Sequence, residues 1–166
     1  SGHGDSCRFG YSFVANNYKK FNYVMQIDSD NQCDPKYLIQ FYNFIKSNRE
    51  DFVFGYRKFR EDGYSRFLIS RLLTITTFIK KFIYVKDLNT PYRLMKTSKL
   101  KQTLINIKNK KVYDNIQLFN CILSYEIQKN YKINWININF RKRMYGKSKF
   151  NLLKMFMMYL NFFLKI

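Results

Sequence analysis

The chain has 166 residues, of which 46% are hydrophobic and 25% charged, a balance that suits one globular domain and excludes a disordered or collagen-like polymer. Its three cysteines show no CxxC spacing and it has a single histidine, which excludes a disulfide scaffold, a zinc knuckle and a His-rich metal site and suits a reducing compartment. The formal net charge is +19, and no apolar run reaches the ~20 residues of a membrane-spanning helix.

Residues 1–17 carry Gly2, Gly4 and Gly10 and predict a short helix. Residues 21–27 (FNYVMQI) read as a buried strand that stops at the acidic cluster Asp28-Ser29-Asp30. Asp34-Pro35 is a helix start, and Tyr37, Leu38, Phe41, Phe44 and Ile45 give that helix an apolar face to about Ser47. Residues 51–56 (DFVFGY) predict a second strand. Strand, acidic turn, helix and strand make a βαβ unit, so the expectation is an α/β domain with a mostly parallel sheet and flanking helices.

Residues 63–86 predict a long helix with Phe67, Leu68, Leu72, Ile75, Ile79 and Phe82 on one broad face and only basic charges beside them. Such a stripe fits a helix lying in a membrane interface or one packed on the core. Residues 91–95 and 132–140 read as strands, and residues 98–107 and 115–129 as helices. Between residues 150 and 164, 12 of 15 side chains are apolar, predicting an amphipathic C-terminal helix that lies on a bilayer or leads towards transmembrane helices. Charge is divided unevenly along this order. Residues 1–62 hold 9 basic and 8 acidic side chains, whereas residues 63–166 hold 21 basic ones against Asp87, Asp114 and Glu126. Such asymmetry points to an anionic partner for the second part (nucleic acid, phospholipid headgroups or a phosphorylated substrate), with a solvated basic face as the alternative.

The chemistry concentrates at Asp28 and Asp30. Two carboxylates at i and i+2, just past the carboxyl end of a strand, stand where α/β sheets bind ligands. Hard oxygen donors select Mg²⁺ or Mn²⁺, ions that are held by few carboxylates together with substrate phosphates.

The segment from Gln26 to Pro35 (QIDSDNQCDP) resembles the metal-site segment of family 2 glycosyltransferases with the GT-A fold, and is closest to the polyprenyl-phosphate mannosyl- and glucosyltransferase branch. Further likenesses follow in the family's order. Gly2-His3-Gly4 with Gly10 resembles the glycine-containing helix before the metal strand, and Gly55-Tyr56-Arg57 stands where Gly-Ser-Arg is usual. Arg66 to Arg71 resembles the basic interfacial helix, residues 87–94 (DLNTPYRL) an Asp followed by a Gly-Phe-Arg or Pro-Phe-Arg element, and residues 143–149 (RMYGKSK) the Arg-x-x-Gly-x-Ser-Lys closing motif.

The resemblance implies a metal-dependent, inverting transfer of a hexose from a nucleotide diphosphate sugar to a lipid phosphate or glycan acceptor, peripherally at the cytoplasmic face of a membrane. In it Asp28 and Asp30 would hold the metal, and Asp87 would be the general base, with an ion pair to Arg93 or another arginine as the alternative. Arg57, Arg66, Arg143 and Lys149 would clamp phosphates, while Gln32 would touch donor or acceptor or serve as a plain turn residue. His3 reads as a structural turn residue. Residues 1–149 would form a partial GT-A domain without the first nucleotide-binding strands, so that the chain alone is expected to be inactive, and residues 150–166 the amphipathic helix. The partners implied are the sugar nucleotide, a polyprenyl phosphate or glycan, and an anionic membrane surface. A basic nucleic-acid-binding or membrane-binding module without catalysis is the competing reading; no nucleic-acid motif supports the former.

Overall fold

The alternation of short apolar strands with amphipathic helices resolves into nine elements in a computed structural model, which describes residues 3–17, 19–108 and 118–143 together with Leu153, Phe156, Met157, Leu160, Phe163 and Leu164. In chain order these are α1 (His3–Asn16), β1 (Tyr23–Gln26), α2 (Tyr37–Ser47), β2 (Phe52–Arg60), α3 (Tyr64–Lys81), β3 (Arg93–Lys96), α4 (Thr97–Lys108), α5 (Phe119–Asn130) and β4 (Asn134–Phe140). The α/β class holds. The mostly parallel sheet does not.

The strand order is β1-β3-β2-β4, with β3 antiparallel to both β1 and β2 and only β2 and β4 parallel. Since both neighbours of β3 oppose it, β1 and β2 still run the same way, as a βαβ crossover requires, but a third strand separates them. The inserted strand is only four residues long and pairs on both edges, so that Arg93, Leu94 and Met95 have strand neighbours on two sides. The chain returns to it through residues 83–92, where Val85, Leu88, Thr90 and Tyr92 are buried.

Both sheet faces are covered, which is why β2 begins as an unbroken apolar run rather than an alternating one. Phe52 and Phe54 of β2 and Met95 of β3 pack with α1, α4 and α5 through Tyr11, Leu100, Leu104, Phe119 and Leu123. Val53, Leu94, Ile136 and Ile138 point the other way, onto Phe41 and Ile45 of α2. At Gly55 no side chain fits: an added Cβ would lie 2.7 Å from Ile138 Cδ1 and 3.0 Å from Tyr92 Cβ.

Helix α3 starts at Gly63, whose φ of 101° lets the chain leave β2 sharply. It stops at Phe82, a left-handed residue with φ 54° whose N–H bonds back to Phe78 O. Tyr64, Leu68, Ile75, Phe78, Ile79 and Phe82 of this region are exposed, as are the six described residues beyond 150, which are helical. Lys80 Nζ donates to Phe163 O and lies 4.2 Å from the centre of the Phe163 ring, so the two apolar stretches meet. Among the described residues no helix is long and apolar enough to cross a membrane.

Candidate functional site

Strand β1 ends at Gln26, and the next residues form a tight acidic turn. Asn31 takes a left-handed φ of 60°, a conformation its short polar side chain tolerates, and the reversal aims Asp28 and Asp30 into one cavity. That cavity holds about 270 Å³, and Asp28, Asp30, Gln32, Arg57, Arg66 and Arg143 all line it. Six candidates from four separate segments thus converge. Asp87 stands behind Arg57, whereas Lys149 and Gly146 lie outside the described residues.

Burial raises the Asp28 carboxyl above its ordinary range; His3 opposes this and the neighbouring Asp30 adds to it. Asp30 accepts the Gln32 N–H at 3.2 Å and an Arg143 guanidinium N–H at 2.7 Å. Gln32 is 2% exposed, and its amide donates to Arg141 O at 2.9 Å while its own carbonyl accepts the Arg141 N–H. Its bonds are those of a clasp between the acidic turn and the end of β4. Asp34 strengthens that clasp: it accepts from Arg141 at 2.6 Å and caps the first turn before α2 through the Lys36 N–H.

Asp87 and Arg57 form a two-pronged ion pair, with Nε and Nη2 each 2.7 Å from a carboxylate oxygen. Asp87 is 3% exposed and Arg57 7%. Burial alone would raise the Asp87 pKa, but the charge and hydrogen bonds of Arg57 outweigh it and hold the carboxyl below its ordinary value. Arg93, the other partner considered from sequence, donates instead to Gln26 Oε1, Leu88 O, Asn120 O and Ser124 Oγ.

Two charged cavity residues escaped the sequence reading. Arg60 and Asp62 form a second two-pronged pair at 2.9 and 2.8 Å. Residues 57 and 60 would point to opposite faces of a regular strand. A register shift between Arg57 and Phe59 inserts one extra residue, and Arg57 and Arg60 then both lie over the Phe140 ring. Arg66 approaches Asp62 at 3.9 Å from the first turn of α3.

The arrangement suits a ligand that carries negative charge and brings a cation. Four arginines surround the cavity, and three of them are tied to carboxylates by bonds of 2.7–2.9 Å. Among the described residues no three of His, Cys, Asp and Glu converge as a complete metal site. Asp28 and Asp30 are a pair of hard oxygen donors that could hold an Mg²⁺ or Mn²⁺ arriving with phosphate oxygens. Compared with protein-family models, curated proteins and solved structures, the chain matches none.

Proposed function

We propose that the chain is a glycosyltransferase domain that takes a hexose from a nucleotide diphosphate sugar in the presence of Mg²⁺ or Mn²⁺ and passes it, with inversion, to a polyprenyl phosphate or glycan. One observation carries this reading: the acidic turn and the arginines of β2, α3 and the segment after β4, distant in sequence, line a single cavity. Asp28 and Asp30 would hold the cation, which supplies charge neutralisation for a diphosphate leaving group. Arg66 reaches the cavity edge, where its guanidinium can meet a phosphate. Arg143 would serve the same end after giving up Asp30. Asp87, with both oxygens on Arg57, aligns that guanidinium; as a general base it would first have to part from it.

The apolar, basic surface of α3 and the exposed residues beyond 150 support a peripheral place on an anionic membrane, where a lipid-linked acceptor would be met. Binding of Mn²⁺, followed by the loss of its free spin-resonance signal, tests the site. Sugar nucleotide diphosphate should tighten Mn²⁺ binding, and Asp28→Asn/Asp30→Asn should abolish that effect while the circular dichroism spectrum stays unchanged. Mn²⁺ binding that ignores the nucleotide, or survives in the double variant, overturns the reading.

A further inference from the structure

Helix α1 places His3 and Cys7 one turn apart, on the same side, above the end of β1. Cys7 is partly exposed, whereas Cys33 and Cys121 are buried. Three nitrogen-bearing groups surround its sulfur: His3 Nε2 at 3.6 Å, Asn120 Nδ2 at 3.6 Å and Gln26 Nε2 at 3.7 Å. Gln26 is fixed from its other end, because its Oε1 accepts from both the Tyr11 hydroxyl and Arg93 Nη1. The sulfur therefore faces two amide N–H donors and an imidazole nitrogen, the surroundings that stabilise a thiolate.

A separate feature points to a guest atom. Asn120 is 5% exposed, yet its amide oxygen has no hydrogen-bond partner, although the nitrogen of the same amide touches both Cys7 Sγ and His3 Nε2. An unsatisfied buried acceptor costs stability of its own. A hydroxyl placed on the sulfur would add a donor beside that amide.

We infer that Cys7 is a site of oxidation by hydroperoxides, and that the pocket formed by His3, Gln26 and Asn120 holds its sulfenic acid. The thiolate sulfur attacks one peroxide oxygen; an S–O bond forms and the O–O bond breaks. The sulfur loses two electrons, and hydroxide, or alkoxide from an organic peroxide, leaves and takes a proton from water. The new S–O–H then donates to Asn120 Oδ1, while Gln26 Nε2 remains beside the oxidised group. Burial pushes the Cys33 and Cys121 thiols up to about 12, so both serve as unreactive references within the same chain.

The test exposes the whole chain to hydrogen peroxide with dimedone present and reads the adducts by peptide mass spectrometry. Cys7 should be trapped at least tenfold faster than Cys33 or Cys121, with one adduct per chain. Asn120→Ala should shorten the lifetime of the sulfenic acid, and His3→Gln should slow its formation several-fold. His3 is largely exposed, so its replacement leaves the fold intact even where Asn120→Ala does not. Equal labelling of all three cysteines, or an unchanged rate in His3→Gln, overturns the inference.

Discussion

Replacing Asp87 with alanine leaves the Arg57 guanidinium buried beside the cavity without its carboxylate. Two charge-assisted hydrogen bonds of 2.7 Å vanish, and only the 3.1 Å bond to Asn89 O remains. Removing one member of a buried ion pair costs about 3–5 kcal/mol, because the survivor stays desolvated. With a urea dependence of about 2 kcal/mol per molar, the unfolding midpoint should fall by about 1.5–2.5 M. The double variant Arg57→Met/Asp87→Leu removes both charges and keeps apolar volume, so it should be more stable than Asp87→Ala alone. Urea titration followed by the fluorescence of Trp135, the only tryptophan, measures both. A midpoint shift below about 0.5 M for Asp87→Ala, or a double variant less stable than the single one, would refute a buried, mutually dependent pair.

The same pair sets a pH dependence. The folded Asp87 carboxyl has a lower pKa than the ordinary 3.8, so its contribution is complete above that value and is lost as pH falls through the lower folded one; urea midpoints below pH 4 should decline less steeply in Asp87→Asn than in the parent. Gly55→Ala should destabilise by about 1–3 kcal/mol through overpacking against Tyr92 and Ile138, read as a lower melting temperature that Ile138→Val partly restores. Phe82→Gly should act in opposite directions on two measurements. It relieves a left-handed phenylalanine and raises the melting temperature, yet removes an 84% exposed ring and weakens cosedimentation with phosphatidylglycerol vesicles.

Much of the fold was legible because its signals are local. The apolar spacing of Phe41, Phe44 and Ile45 marks α2, the run FVFGY marks β2, and alternation in NWININF marks β4. The position of β3 was not legible, since four residues (RLMK) carry no pattern that says which two strands they will separate. The choice is made by long-range pairing, through Leu94 opposite both Met25 and Val53. Within the site, Asp28 and Asp30 announce themselves by adjacency. Arg57, Arg66 and Arg143 were found through their motifs, but Arg60 was not, because it shares a face with Arg57 only through the irregular register beside Lys58. The partner of Asp87 was likewise open: Arg93 is nearer in sequence, but it turns towards Gln26 and Asn120 and leaves Arg57 as the match. His3 and Cys7 did carry a signal, four residues apart on what proved to be a long α1. A turn reading of His3 hid it.

The placement of β3 has a consequence for the order in which a ribosome can deliver this protein. Strand β1 leaves the tunnel before β2, but the edge it will use stays unpaired until residues 93–96 have been made, and β2 waits for residues 93–95. Helix α2 can form meanwhile, since its bonds are local. The acidic turn is closed later still, when Arg141 and Arg143 reach Asp34 and Asp30 across 107 and 113 residues of sequence. Nascent chains that end before Lys96 therefore expose these strand edges together, and slowing translation within α3 should lengthen their stay on chaperones.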